Sequence, residues 1–327
     1  MRKTELFLKL PEYVCTPDGM AIDSDGNLIL ACPNYADEKM AGCILKIDKN
    51  KNVSKWFDVE PLAETGAARP MGIAFGPDGS LYICDNQGWS GKAELVGKGR
   101  ILRVNFADGK PIKTTVVAKN MEHPNGMRIR DGYIYVTQST LSKVKHPSGK
   151  LVSCVYRFAL DDENIEITNT LGDRNILTTF VTENENNQYG VDGIEFDNDG
   201  NLLVGNFGDG AVYKVCFNED LSVKSNTLWA KDSKNLSTTD GMIMDNEGNL
   251  YIADFSANAI GMVTRDGKVE RIAQSPDCNG LDGGLDQPGE PIIWNGKLII
   301  SCFDCVTGEG VVNTTHEMPA TLAQIEI

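Results

Sequence analysis

A short pattern recurs along this chain and constrains its fold more than any other feature. A typical copy reads as a polar residue and a glycine, a short alternating strand, a tight Asp/Gly/Asn turn and a second strand. The second copy begins Met71-Gly, the third is shortened in the turn, and the sixth is degenerate. The copies begin near residues 18, 71, 125, 192, 240 and 290, and the first five are 48 to 67 residues apart. Self-similarity at a period near 50 residues indicates stacked repeat units, and it is stronger evidence for the fold than any local secondary-structure prediction.

Each of the first five copies is followed by two further alternating segments, such as 42–48 and 53–57 in the first. Six units of four antiparallel strands predict an all-β, six-bladed β-propeller that forms a single domain over residues 1–327. The sixth unit offers only one good segment, 321–327, after its first pair. We therefore expect the N-terminal segment 5–10 to supply the missing outer strand, because this pairing would close the ring and leave no long free edge.

Long links predict where function lies. The links between second and third strands are long in several units: 33–42, 86–99, 139–150 and 303–319. In an up-and-down blade these links lie on the same face as the entries to the first strands. Long loops on one face of a rigid scaffold are the usual place for a binding site.

The residue before the first glycine of the first five copies sits at an equivalent position, and we call these positions the markers; the four that are oxygen donors are candidate metal ligands. They are Asp18, Met71, Asn125, Asp192 and Asp240. Innermost strands converge on the propeller axis, where three carboxylates would repel one another unless protonated or bound to a cation. Oxygen donors without His or Cys favour Ca²⁺ first, with Mg²⁺, Mn²⁺ or Zn²⁺ as alternatives. The competing interpretation is that Asp-Gly and Asn-Gly are only turn chemistry.

Composition limits the partners. The net charge is −15, which argues against nucleic acid or an anionic membrane as a partner. The N-terminus has no apolar run of signal-peptide length, and nine scattered cysteines suggest reduced thiols, so we expect a cytoplasmic protein. A small-molecule substrate remains as the expected partner, and the oligomeric state is left open.

Two motifs in neighbouring units give a resemblance to a known family. The segments Pro124-Asn-Gly-Met127 and Val191-Asp-Gly-Ile-Glu-Phe-Asp197 resemble the metal-binding motifs of the gluconolactonase, senescence-marker-protein and luciferin-regenerating-enzyme family. Squid-type diisopropyl fluorophosphatase and the bacterial drug-responsive lactonase belong to the same group. The resemblance implies a six-bladed propeller with one divalent cation in its channel, usually Ca²⁺, that opens lactones or related esters with water.

The resemblance also implies roles for residues. Asn125 and Asp192 match the ligands, and Asp18 stands where the family has a Glu, one methylene longer. Met71 occupies blade two, and a further Asn ligand of the family has no clear counterpart. Matching motifs makes Asp192 the catalytic carboxylate, whereas counting blades would select Asp240, so both stay candidates for the base or nucleophile.

The prediction is therefore a metal-dependent lactonase or ester hydrolase. Candidate substrate-binding residues are Asn34, Asn86 and Asn206, which follow second strands, Trp89 in a glycine-rich insert, and His316 in the last insert. Each has a structural alternative: capping a strand end, anchoring a loop, or lying at the surface. Two other functions stay open, a propeller that binds protein or peptide on its rim, and a lyase or isomerase using the same channel.

Overall fold

A computed structural model describes all 327 residues as an all-β protein, and the predicted six-bladed β-propeller is confirmed. The first strand of the chain is β1 (Thr4–Lys9). Blades one and two then contain β2 (Met20–Ile22), β3 (Leu28–Cys32), β4 (Cys43–Ile47), β5 (Val53–Asp58), β6 (Pro70–Phe75), β7 (Leu81–Asp85), β8 (Gly99–Ala107) and β9 (Lys110–Met121).

The remaining blades follow the same order. Blades three and four contain β10 (Pro124–Arg130), β11 (Tyr133–Gln138), β12 (Val152–Ala159), β13 (Ile165–Glu166), β14 (Ile176–Val181), β15 (Val191–Phe196), β16 (Leu202–Asn206), β17 (Ala211–Phe217) and β18 (Val223–Lys231). Blades five and six contain β19 (Met242–Met244), β20 (Leu250–Asp254), β21 (Ala259–Val263), β22 (Val269–Gln274), β23 (Pro288–Trp294), β24 (Lys297–Cys302) and β25 (Thr321–Glu326).

The ring closes as the sequence predicts. In blade six the strand order is β23-β24-β25-β1, and β1 pairs antiparallel with β25. One addition was not predicted: β13 leaves blade three and pairs in parallel with β9, which gives blade two a fifth strand. The only helical segment is a 3-10 turn at Phe255–Ala257, and no helix is long and apolar enough to cross a membrane.

The core is divided among the blades. Six apolar clusters lie mainly between the facing sheets of neighbouring blades around the ring. The largest, between blades two and three, also includes Phe255 and Phe303. The cluster between blades one and two, for example, packs Ile29 and Ile44 against Ile73, Leu81 and Leu102. Because every blade buries both faces against its neighbours, the innermost strands are held at fixed positions around the axis.

The inner strands approach closely because a glycine follows each marker in five blades. A Cβ on Gly72 would lie 2.2 Å from the Asn125 carbonyl oxygen, and one on Gly193 would lie 2.1 Å from that of Asp240. Any larger residue would push adjacent blades apart, since a contact below 3.0 Å to backbone cannot be relieved by a side-chain rotation. The repeated glycine is therefore required by packing at the hub.

Blade six has no glycine after its marker position, and the structure corrects the position at which this blade was expected to start. The inner ladder is irregular between Pro124 and Met127, between Val191 and Ile194, and between Pro288 and Pro291. Aligning these irregularities places Gly289 at the marker position of blade six. Glu290, at which the sequence suggested that the blade starts, occupies the place that glycine holds in the other five blades.

Candidate active site in the central channel

The markers converge at one end of the channel. Inner strands β2, β6, β10, β15, β19 and β23 contact each other in sequence and close a circle, which brings the first residues of all six together. The ladder irregularities lie at the markers in blades three and four, where a bulge turns a side chain out of the regular alternation. A Cβ on Gly289 would lie 2.9 Å from Asp18 Oδ1, so this glycine leaves space for that carboxylate.

A cavity of about 570 Å³ opens above the markers. Met71, Asn125, Asp192 and Asp240 form part of its lining, whereas Asp18 is buried with only 5% of its surface exposed. Residues from the long links of blades two and six line the same cavity, and so do Asn186, Asn187 and Tyr189 between β14 and β15. The expectation that the long links and the markers share one face is therefore confirmed for the links of blades two and six.

Burial and neighbouring carboxyl groups raise the pKa values of the three marker aspartates. Burial raises the pKa of Asp18 well above its usual value, and repulsion from Glu290 and Asp192 raises it further. Burial also raises the pKa of Asp192 to about 7, although hydrogen bonds with Asp240, Tyr189 and Asn125 lower it. Burial together with the charge of Asp192 raises the pKa of Asp240 in the same direction.

A second layer of charge lies directly below the markers. The Arg128 guanidinium contacts Glu195 Oε2 through Nε at 3.0 Å and Glu290 Oε1 through Nη2 at 3.1 Å. Burial raises the pKa of Glu290 to about 7, and the adjacent Arg128 opposes this shift. Arg128 and Glu290 also line a smaller cavity of about 290 Å³, so this ion-pair layer separates two spaces in the channel. Neither residue was predicted from the sequence.

The donor set suits a hard cation. The hub contains the carboxyl groups of Asp18, Asp192 and Asp240 and the amide of Asn125, and no histidine or cysteine lines the cavity. The only nearby cationic side chain, Arg128, is already shared between two glutamates. A divalent cation bound by oxygen would relieve the repulsion that raises the three aspartate pKa values. The residues present therefore fit such an ion.

A belt of aromatic side chains surrounds the cavity. Trp89 stacks on Tyr35 with ring centroids 4.4 Å apart, and its ring lies 5.4 Å from that of Phe303. Phe303 contacts Phe255 at 5.6 Å, and Phe255 contacts Phe207 at 5.8 Å. The three phenylalanines lie at or just beyond the ends of second strands, an equivalence visible in the sequence once the blades are aligned.

Tyr189 completes the wall and was also missed. Its hydroxyl hydrogen-bonds to His123 Nε2 and takes part in the hydrogen bonding of Asp192. Burial lowers the pKa of His123 to about 4, so this imidazole is neutral at physiological pH. Tyr189 thus fixes the orientation of a marker carboxyl group from three residues before it in the chain.

The predicted substrate-binding residues divide into two groups. Trp89 lines the cavity. Asn34 does not, because its side chain accepts from Cys15 N and donates to the Tyr13 and Ala41 carbonyls. Asn206 is likewise occupied, accepting from Thr182 Oγ1 at 3.1 Å and donating to a backbone carbonyl.

The other two predicted residues also lie outside the cavity lining. Asn86 is fully buried, and neither polar atom of its side chain has a hydrogen-bond partner. His316 contacts Asp304, through Nδ1 at 3.0 Å from Oδ2, at the base of the blade-six insert. His316 is held within its loop, in line with the structural alternative that the sequence left open, whereas the Asn86 side chain makes no hydrogen bond that would cap a strand or order a loop.

The architecture defines a six-bladed propeller with an acidic, aromatic-walled central cavity. No protein-family model and no curated protein matches the chain. Solved structures that match include a luciferin-regenerating enzyme (13% identity, TM-score 0.65, 100% of this chain and 96% of that one). A gluconolactonase from Xanthomonas campestris matches at 16% identity (TM-score 0.59, 98% and 88% covered).

Two further solved structures bear on the choice of function. The calcium-binding protein regucalcin from Agrobacterium tumefaciens matches at 12% identity (TM-score 0.61, 100% and 94% covered). Virginiamycin B lyase from Staphylococcus aureus matches at 14% (TM-score 0.58, 100% of each chain). The group of proteins that the sequence resembles is therefore present among the structural neighbours. At identities this low, the structural similarity establishes the propeller fold alone.

Proposed function

We propose that the protein is a divalent-metal-dependent hydrolase that opens a lactone or related ester in the central cavity. The observation that carries the proposal is the convergence of the markers at the hub, where Asn125, Asp192 and Asp240 line one cavity and Asp18 is buried nearby. Burial and mutual repulsion raise the pKa values of their carboxyl groups. Groups with such shifts in a cleft are typical of active sites. Gluconolactonase and calcium-binding neighbours support the same reaction class.

Asp18, Asn125 and Asp192 would hold the cation, with Ca²⁺ the first candidate. A cation bound there would polarise the substrate carbonyl and lower the pKa of a bound water. Asp240 is the base in this proposal, because it is the more exposed of the two cavity carboxyl groups. Tyr189 holds Asp192 in place through its hydroxyl.

The walls indicate what kind of lactone fits. Phe207, Phe255, Phe303 and Trp89 present ring faces or edges to the cavity, while Ser237, Thr238 and two asparagines add polar atoms. A lactone or ester that carries an apolar group beside its reacting carbonyl would cover this aromatic surface. This is the proposed class of substrate.

The test is hydrolysis by the protein after chelation and after Ca²⁺ is restored, using aldonolactones and aryl-substituted lactones in parallel. Turnover should be lost on chelation and recovered with calcium. Asp192→Asn should lose both metal binding and turnover, whereas Asp240→Asn should keep metal binding and lose kcat. Turnover of neither substrate class by the metal-loaded protein would refute the hydrolase.

A lyase in the same cavity is the second candidate, because a virginiamycin B lyase shares the fold. For a lyase of that kind, a variant with a histidine replaced by alanine is described as catalytically inactive. In this chain no histidine lines the cavity, since His123 is buried behind Tyr189 and His316 lies at Asp304. This difference favours hydrolysis, and a product with a new carbon–carbon double bond would favour the lyase.

A further inference from the structure

A second group of acidic side chains lies outside the central channel, at the base of the blade-six insert. Asp286 precedes β23, Asp304 follows β24, and Glu317 lies near the end of the link that leads to β25. One carboxylate oxygen from each lies within 4.8 Å of the others. Three separate segments of the chain are thus brought to one point by the folding of a single blade.

Several polar atoms in this group have no partner. Asp286 is 2% exposed, yet its Oδ1 makes no hydrogen bond, and Glu317 Oε2 and Asn313 Oδ1 are also unpartnered. Asp304 is satisfied by contrast, because Oδ2 accepts from Glu317 N at 2.9 Å and Oδ1 from Asn313 Nδ2 at 3.3 Å. No lysine or arginine forms an ion pair with any of the three carboxyl groups, and the one basic partner is His316, whose Nδ1 lies 3.0 Å from Asp304 Oδ2. A buried carboxylate without a partner is costly, and one imidazole at Asp304 leaves Asp286 and Glu317 without a cationic partner of their own.

We propose that Asp286, Asp304 and Glu317 bind a second divalent cation, Ca²⁺, separate from the ion of the channel. All three donors are carboxylate oxygens. Ca²⁺ accepts six to eight oxygen ligands in irregular geometry, with water filling the remaining positions. Mg²⁺ requires a near-ideal octahedron, which three carboxylates from independent loops are not built to give.

The position of this site gives it a structural role. The insert that begins at Phe303 supplies Phe303, Val306, Thr307 and Glu309 to the wall of the central cavity. Asp304 stands at the start of the insert and Glu317 near its end, while Asp286 belongs to the preceding loop. A cation bound by all three ties both ends of the insert to the body of blade six, and so holds one wall of the cavity in place.

The proposal does not depend on the reaction catalysed in the channel, and its test needs no substrate. Calorimetric titration with Ca²⁺ of chelator-treated protein should show one more equivalent in the wild type than in Asp286→Asn or Glu317→Gln. The control Glu219→Gln removes one exposed carboxylate elsewhere and should bind like the wild type. Asp192→Asn removes a ligand of the channel site alone. If the channel site binds no Ca²⁺, this variant binds as many equivalents as the wild type. If the site in blade six binds none, Asp286→Asn and Glu317→Gln bind as many as the wild type.

Limited proteolysis at Glu309 measures how firmly the insert is held, because Glu309 is exposed at the tip of the insert. Cleavage by a glutamate-specific protease should slow by about tenfold when Ca²⁺ is tenfold above its dissociation constant, in the wild type and in Asp192→Asn. Asp286→Asn and Glu317→Gln should be cleaved at a rate independent of calcium. Equal stoichiometry and equal protection in the wild type, Asp286→Asn and Glu317→Gln would overturn the proposal. If Asp286→Asn does not fold, Glu317→Gln still provides the test, because Glu317 is only half-buried.

Discussion

Replacing Arg128 with methionine tests the electrostatic account of the channel. Arg128 is the only cation between Glu195 and Glu290, and the exposed fractions of the Arg128 and Glu290 side chains are 19% and 13%. Removing one partner from a buried ion pair leaves an uncompensated charge and costs about 3–5 kcal/mol. We therefore expect Arg128→Met to lower the free energy of unfolding by about that amount at pH 8 after chelation of divalent ions.

The loss of stability in Arg128→Met should be larger at high pH than at low pH. The pKa of Glu290 is raised from its usual value of 4.5 to about 7 in the folded protein. A carboxyl group with a raised pKa in the folded state favours folding at low pH and loses this contribution as pH rises through 7. Without Arg128 the pKa of Glu290 rises further, so the variant should lose more stability at pH 8 than at pH 5.5.

Urea unfolding followed by tryptophan fluorescence measures this effect, with Arg130→Met as the matched control. Arg130 lies two residues further along β10 and pairs with Asp131 at 3.4 Å, with both side chains more than two-fifths exposed. Exposed pairs contribute about 0–1 kcal/mol. If Arg128→Met costs no more than Arg130→Met at both pH values, the proposed charge layer does not constrain the channel.

Three further predictions concern the hub, the ion and the thiols. Gly193→Ala should cost about 1–3 kcal/mol in thermal or urea unfolding, because its Cβ would lie 2.1 Å from the Asp240 carbonyl oxygen, whereas Gly172→Ala, with nothing closer than 3.9 Å, should be near neutral. Calcium affinity, measured by calorimetry, should fall as pH drops from about 8 to about 6, because protons compete for Asp192, whose pKa is raised to about 7; an affinity independent of pH would exclude these ligands. All nine cysteines are free, and only Cys216 and Cys278 are not buried, so a thiol reagent should label at most these two rapidly in the native protein; rapid labelling of more would contradict the fold.

The repeat made the fold predictable because its pattern is local. Alternation of apolar and polar residues sets each strand, and Asp197 Oδ1 accepting from Asn201 N at 2.8 Å closes the turn that the motif predicts. The closing role of β1 followed from counting strands. Blade six was harder to align, since Gly289 and Glu290 reverse the order of marker and glycine, and only the ladder register identifies the equivalent positions.

The site was only partly predictable, for a geometric reason. Markers at the entries of the inner strands must converge, so Asn125, Asp192 and Asp240 could be placed from sequence. Residues after strand ends could not, because their direction depends on the loop backbone. Asn34, with φ of 56°, turns into its own loop and satisfies that loop's backbone instead of facing the cavity.

Arg128, Glu290 and Tyr189 were missed for another reason. Each acts through a partner on a different blade: Arg128 through Glu195 and Glu290, and Tyr189 through His123. A single sequence without the three-dimensional ring gives no signal that such residues meet. Their positions relative to the markers, three residues after Asn125 and three before Asp192, become informative only once the ring is known.

A crystal of the protein grown with calcium provides the most direct test of the central claim. The account predicts an anomalous peak at the hub, with oxygens of Asp18, Asn125 and Asp192 at about 2.3–2.6 Å from the ion or joined to it through one water. No peak at the hub in calcium, or a peak that these three side chains do not contact, would contradict the account.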